Sequence, residues 1–172
     1  MNMKTSTVNL YSLSFSERRT FLFSFIFIIG NITVPQFFHL VPQGGQIWLP
    51  IYFFTLIGAY KYGWQVGIIT ALCSPIINSL LWGMPASSVL PCILIKSVLL
   101  SVSASFIAKK TNIVSIPSLA VVVIFYQVVG SLIESVIVNS LYLGFQDFRI
   151  GIPGMLLQII GGYIVIKYIF RK

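Results

Sequence analysis

Apolar residues in this chain occur in six long runs that are separated by short polar stretches. The runs cover residues 20–34, 47–60, 64–82, 89–108, 116–143 and 154–170. Each run is continuously apolar, which is typical of helices that cross a bilayer, whereas the strands of a membrane barrel alternate between apolar and polar residues. The pattern therefore predicts an all-α polytopic membrane protein with a six-transmembrane-helix bundle.

Prolines, glycines and run lengths set the predicted boundaries. Pro35 is predicted to end the first helix, and residues 36–46, which include His39, are predicted to form a loop. The second run is short for a full span, so we expect it to be tilted or partly interfacial at Trp48. Residues 83–88 and 144–153 are predicted as further loops.

The composition excludes a soluble protein. Of the 172 residues, 57% are hydrophobic and only 8% are charged, and the mean hydropathy is +0.95. Soluble domains carry roughly 25% charged residues, so this chain cannot build a water-facing surface. Six helices of about 20 residues use roughly 120 residues. We therefore assign residues 1–19 to a cytoplasmic N-terminal segment and residues 20–172 to a single six-helix membrane domain.

The positive charges predict the orientation of the chain. The formal net charge is +8, but the cations lie at the ends of the apolar runs, which argues against a nucleic-acid partner. With six spans, one side of the membrane has Arg149. The other side has Lys4, Arg18, Arg19, Lys61, Lys109, Lys110, Lys167, Arg171 and Lys172. The positive-inside rule then places both termini in the cytoplasm.

The residues that serve in metal and catalytic sites are few and scattered. There is one histidine, and the two cysteines, Cys73 and Cys92, lie in different apolar runs. Structural metal sites need clustered ligands, so we expect neither a metal nor another cofactor. The sequence contains no catalytic carboxylate pair and no nucleotide-binding motif, so we expect no enzyme.

Two charged residues lie inside predicted spans, where charge is costly and suggests function. At 1.5 Å per residue, Lys96 is predicted about 10 Å below the outer end of the fourth helix, and Glu134 about 15 Å below the outer end of the fifth. They could form a structural ion pair, or Lys96 could extend outward to water. Alternatively, one or both contact a polar ligand.

Uncharged polar and aromatic residues extend this candidate site. Gln127, Ser131 and Glu134 share one helix face, and amides in spans either bond neighbouring helices or bind a ligand. Aromatic residues near the outer boundary either form an interfacial belt or stack on a flat ligand. The predicted substrate-binding residues are Trp48, Tyr52, Asn78, Trp82, Lys96, Glu134 and Gln158.

Several short motifs resemble a known transporter family. They are GQIWLPIY at residues 45–52, GAYKYG at 58–63, SPIIN at 74–78 and GMP at 83–85. Their order and spacing resemble those of the substrate-binding S components of energy-coupling factor (ECF) vitamin transporters. The resemblance extends to chain length, topology and sidedness.

The resemblance implies a substrate-specificity component in the bacterial cytoplasmic membrane. Such a protein binds a vitamin or related micronutrient in an outward-facing cavity, which here would be covered by residues 35–46, 83–88 and 144–153. Its expected partners are an integral-membrane coupling subunit and two cytoplasmic ABC ATPases, which drive uptake. The resemblance does not specify the substrate.

Three positions depart from the family pattern. Tyr52 stands where a histidine is usual, and Lys96 stands where a glutamate is usual, which favours a more anionic ligand. The first helix has only Ser24 and Gly30 as small residues, where the family carries an alanine pattern for docking. The mismatch in the first helix leaves open a solitary carrier that works without ATPases. The size and helix count also resemble those of cell-shape membrane proteins, so a membrane scaffold with no small-molecule ligand is a second alternative.

Overall fold

The computed structural model describes residues 10–38 and 40–170, and every regular element in these ranges is helical. The predictions for Lys4, His39, Arg171 and Lys172, and for residues 1–9 of the segment 1–19, fall outside the described residues. Five helices are long and apolar enough to cross a membrane: α1 (Arg18–Phe38), α4 (Trp64–Trp82), α5 (Leu90–Thr111), α6 (Ile116–Ile137) and α9 (Ile152–Ile169). The predicted all-α class is therefore confirmed for the described residues, and the five apolar helices are candidate membrane spans.

The second apolar run does not form one helix, contrary to the prediction. It is divided between α2 (Gly44–Trp48) and α3 (Phe53–Tyr62), and α3 is preceded by a single 3-10 turn, Pro50–Tyr52. The break is at Leu49, whose φ of 47° is left-handed and cannot continue a helix. From the turn to Tyr62 the chain rises about 20 Å, which is less than the roughly 30 Å of a hydrocarbon core.

The short helix α3 is the centre of the bundle. All eight residues from position 55 to position 62 are buried, and the helix packs against α1, α4 and α5. At its end Gly63 has a φ of 101°, which favours glycine, and α4 begins at the next residue. Because neighbouring helices surround α3, it does not need to match the thickness of a bilayer by itself.

Helix α1 continues to Phe38 and does not end at Pro35 as predicted. A proline inside a helix leaves the carbonyl four residues earlier without its usual donor, and here that carbonyl belongs to Asn31. The Asn78 side chain of α4 supplies the missing donor, with Nδ2 2.8 Å from the Asn31 oxygen. A contact with another helix thus allows α1 to pass through its proline.

A stripe of small residues along one face of α5 allows close helix packing. Ser101 approaches Gly67 of α4, where an added Cβ would collide with it. Ser105 donates from Oγ to the Ala59 carbonyl of α3 at 2.9 Å. The whole stripe is buried: Ser97, Ser101, Ala104 and Ala108.

The bundle has two chemically different ends. At one end the segment before α1 packs on the end of α3, with the Tyr11 amide donating to the Lys61 carbonyl at 2.8 Å. Tyr60 donates from its hydroxyl to the Ile113 carbonyl at the same end. We call this the basic end, because it holds most cations of the described residues: Arg18, Arg19, Lys61, Lys109, Lys110 and Lys167.

The opposite end, which we call the site end, is formed by short helices. After α6 the chain forms α7 (Leu141–Gly144) and α8 (Gln146–Ile150), where the sequence predicts an apolar run followed by a loop. Helix α8 lies beside α2, and the Gln146 side-chain amide donates to Gln46 Oε1 at 3.3 Å. Because α6 ends at Ile137, Glu134 is only about 5 Å from the helix end, and the predicted depth of about 15 Å is wrong.

Candidate functional site

A buried lysine joins three elements at the site end. Lys96 of α5 is 1% exposed, and its Nζ lies 2.5 Å from Glu134 Oε2 of α6 and 2.7 Å from Asp147 Oδ2 of α8. An ammonium group at these distances from two carboxylates forms strong, charge-assisted contacts. The contact between Lys96 and Glu134 that the sequence suggests is present in the structure, and a third charged residue joins it.

The close approach of α5 and α6 places Lys96 in this position. An added Cβ at Gly130 of α6 would lie 2.5 Å from Lys96 Cγ. The absence of a side chain at position 130 therefore lets the aliphatic part of Lys96 lie directly against α6. From there its ammonium group reaches Glu134, one turn further along the same helix.

Asp147 is the member of the site that the sequence analysis missed. The chain has only three acidic residues, and one of them, Glu17, accepts a hydrogen bond from the Ser14 amide before α1. Glu134 and Asp147 are therefore the acids that remain for a buried lysine. Arg149 donates instead to the Tyr142 carbonyl at 2.8 Å and lies over the Tyr142 ring.

The cluster carries more negative than positive charge. Two carboxylates share one ammonium group, so the formal charge of Lys96, Glu134 and Asp147 together is −1 when all three are ionised. The lysine is buried, whereas the Glu134 and Asp147 side chains are 15% and 20% exposed. The cluster therefore contacts the surface at the site end through its two acids.

Two tyrosines and an amide lie beside the charges. The Tyr52 and Tyr126 rings have centroids 5.3 Å apart, and the Tyr52 phenol is within electrostatic reach of Asp147 and Glu134. Tyr126 donates from its hydroxyl to Gln158 Oε1 at 2.9 Å, and Gln158 Nε2 donates to the Leu49 carbonyl at 3.5 Å. Tyr52 thus borders the charge cluster, and Gln158 bonds α6 and the turn after α2 to α9.

The structure gives the other predicted site residues different surroundings. Asn78 belongs to a network with α1, because it donates to Asn31 and accepts from Gln36 at 3.5 Å. Trp82 is 55% exposed at the end of α4. Trp48 lies against the Phe38 ring, with centroids 5.5 Å apart. For Asn78 this is the interhelical role that the sequence analysis left open.

Some buried polar atoms near Lys96 have no partner. Within residues 10–38 and 40–170, no hydrogen-bond partner is found for Ser97 Oγ, Ser131 Oγ, or either polar atom of the Gln127 side chain. All three side chains are fully buried. The Tyr126 hydroxyl is close to the Gln127 amide, but it donates its hydrogen to Gln158 and makes no bond of accepted geometry with Gln127. Buried polar groups are nearly always bonded, so this group needs an explanation.

Two described cavities lie away from Lys96. One, of about 170 Å³, is at the basic end, where Tyr11, Tyr60, Trp64 and Lys109 are among its lining residues. The other is an open depression of about 470 Å³ beside α7, lined by residues such as Leu132 and Asn139. Lys96 lines neither of them, and the space around its ammonium group is occupied by the acids of the cluster.

Comparison with known proteins identifies no relative of the chain. No protein-family model, no curated protein and no solved structure matches the chain.

Proposed function

We propose that this chain is the substrate-specificity (S) component of an ECF-type ABC transporter in the bacterial cytoplasmic membrane. It binds a vitamin or related micronutrient at the site end for ATP-driven uptake. The observation that carries the proposal is the buried Lys96 between two carboxylates. Charged groups among apolar helices cost free energy, so their presence indicates a function. The choice of the ECF family rests on the resemblance of the short motifs between residues 45 and 85.

The proposed orientation follows from the charges. By the positive-inside rule the basic end faces the cytoplasm, and the site end faces outward. In this arrangement α3 is the second of six passes, enclosed by other helices, and both termini are cytoplasmic. Lys96, Glu134 and Asp147 then lie on the side from which a nutrient arrives.

In this function the chain binds ligand and has no catalytic role. Lys96 pairs with a carboxylate or phosphate of the ligand, and Glu134 holds Lys96 or a ligand amine. Tyr52 and Tyr126 offer aromatic surface beside these charges. ATP hydrolysis belongs to the two cytoplasmic ATPases, which act through the integral-membrane coupling subunit.

If the coupling subunit docks on α1, it must contact large apolar side chains and not small ones. The small residues of α1 point inward, because Ser24 is buried and Gly30 lies against the Phe54 ring. The exposed face consists of large side chains: Phe21, Leu22, Phe25, Ile26, Ile29 and Phe37. This face also suits lipid, which keeps a solitary carrier as an alternative.

Co-purification tests the proposal most simply. The full chain, tagged and expressed in its native bacterium, should co-purify with one further integral-membrane protein and two ABC ATPases. Lys96→Ala should retain these partners but bind the vitamin more than about tenfold more weakly, because a charge-assisted hydrogen bond is worth at least that much. Recovery of the chain without ATPases would refute the ECF assignment.

A scaffold function is the second candidate, and one observation favours it. The carboxylates of the chain itself fill the space around Lys96, and the described cavities lie elsewhere. In a scaffold, the cluster would bond α5, α6 and α8 together. The charge-neutral variant Lys96→Met/Glu134→Gln/Asp147→Asn would then support normal cell shape, whereas nutrient uptake by an S component should be lost in that variant.

A further inference from the structure

The unpartnered polar atoms lie on the inward side of the Lys96 cluster. Ser131 and Gln127 are one and two turns before Glu134 on the same face of α6. Ser97 follows Lys96 in α5, and the Lys96 side chain crosses α6 at Gly130, beside Ser131. Ser131 and Gln127 therefore continue the charge cluster into the interior of the bundle, whereas Ser97 lies on the same face of α5 as Ser101, which packs on α4.

Asp147 is the member of the cluster that can leave most easily. Its carboxylate is partly exposed, and it belongs to α8, a five-residue helix at the surface of the site end. Glu134, in contrast, is part of the long helix α6. When the Asp147 carboxylate turns outward it regains water, whereas Lys96 keeps Glu134 and loses its second anionic partner.

We propose that Asp147 occupies the position of a ligand carboxylate. This inference rests on the function proposed above and names the substrate class: a small organic acid with a hydroxyl or amide group. The acid displaces Asp147 from Lys96, and its other polar groups bond Gln127 and Ser131. Exchange of one carboxylate for another keeps the charge around Lys96 unchanged, whereas a cation in the place of Asp147 would stand beside an ammonium group that Glu134 alone already balances.

Chemical rescue tests this exchange without knowledge of the natural ligand. Asp147→Ala removes the internal carboxylate, and acetate is the probe that can replace it, with neutral acetamide as the matched control. In purified full-length protein, acetate should raise the unfolding temperature of Asp147→Ala more than that of the wild type, because a bound ligand stabilises the folded state. Acetamide should show no such difference.

Two further variants make the rescue specific to Lys96. The additional shift with acetate should disappear in Lys96→Met/Asp147→Ala. Should Asp147→Ala not fold, Asp147→Asn keeps the shape of the side chain and removes only its charge. Equal shifts with acetate in the wild type, the Asp147 variant and the double variant would overturn the proposal.

The inner polar atoms need their own probe. Butyrate and the three hydroxybutyrate isomers differ by one hydroxyl group and its position. In Asp147→Ala, at least one hydroxybutyrate should bind more tightly than butyrate, and it should lose this advantage when Gln127 and Ser131 are changed to Leu and Ala. Equal binding of all four acids would refute the inner subsite.

The acetate experiment and the co-purification experiment test two separate claims. If acetate rescues Asp147→Ala but the chain co-purifies with no ATPases, Lys96 accepts an external carboxylate and the ECF function is wrong. If the ATPases are present but acetate has no selective effect, the transport function stands and the exchange of Asp147 for a ligand acid is wrong.

Discussion

At the residue scale, the stability of the molecule depends on how the charge of one buried ammonium group is balanced. Lys96 is 1% exposed and has two anionic partners. Removal of one member from a buried ion pair leaves uncompensated charge, whereas replacement of the whole group by neutral residues is often tolerated. The cluster therefore permits a test in which charge, rather than the size of the side chains, is the variable.

Lys96→Met should destabilise the protein by about 1–3 kcal/mol, because Glu134 loses its counter-charge while the partly exposed Asp147 can turn to water. The charge-neutral triple variant Lys96→Met/Glu134→Gln/Asp147→Asn should recover most of this loss. Denaturant unfolding in detergent measures both effects. An equal loss of stability in the single and triple variants would show that side-chain shape, and not charge, determines stability here.

Gln127→Leu should make the ligand-free protein more stable. A buried amide without partners costs about 1–3 kcal/mol, and leucine of similar size removes that cost. Gln158→Leu is the matched control and should destabilise the protein, because both polar atoms of Gln158 are bonded. Thermal unfolding compares the two variants, and a loss of stability in both would indicate that Gln127 is bonded in the protein.

The sequence predicts part of this site. Lys96 and Glu134 can be identified because charge within an apolar run is conspicuous. Asp147 cannot be identified in the same way, because it lies in a polar stretch, and its contact with Lys96 spans 51 residues. That contact depends on how α7 and α8 fold back over the site end, which periodicity does not specify.

At the element scale, hydropathy predicts which segments are helical better than it predicts where they break. The runs at 64–82, 89–108 and 154–170 agree closely with α4, α5 and α9. The predicted end of α1 at Pro35 is wrong because Asn78, which is distant in sequence, compensates for the proline. The break at Leu49 is also missed, because an apolar residue with a left-handed backbone gives no signal in the hydropathy pattern.

Asn78→Leu should destabilise the protein by about 1–3 kcal/mol, since the Asn31 carbonyl then loses its buried donor. The cost should be smaller in a Pro35→Ala background, where residue 35 regains an amide that can bond Asn31 within α1. A double-mutant cycle of unfolding free energies measures this coupling. Independent, additive effects of the two changes would contradict the compensation of Pro35 by Asn78.

At the scale of the whole molecule, the exposed apolar side chains and the buried polar side chains are both consistent with a membrane environment. Large apolar side chains are exposed along the long helices, for example Phe25, Phe106 and Phe125. Buried polar residues, in contrast, bond the helices to each other, as Asn31 does with Thr55 and Ser74. The composition predicts this class of fold, but the central position of the short α3 emerges only from the packing.

Cysteine labelling on intact cells should establish the orientation. In a background without native cysteines, Ser88→Cys at the exposed site end should react with a membrane-impermeant thiol reagent, and Lys110→Cys at the basic end should not. The positive-inside rule is the physical reason for this expectation. Labelling of position 110, with protection of position 88, would reverse the proposed orientation.

The central claim is that the Lys96 cluster binds a small nutrient, and ligand-dependent thermal unfolding tests it most directly. The purified wild type and the charge-neutral triple variant are screened against the same panel of vitamins and their precursors. A ligand at 100 times its Kd adds roughly 2.7 kcal/mol to stability, which gives a clear shift. We expect at least one compound to stabilise the wild type and to have no effect on the triple variant. Equal stabilisation of both proteins, or no stabilisation of a well-folded wild type by any compound, would contradict the claim.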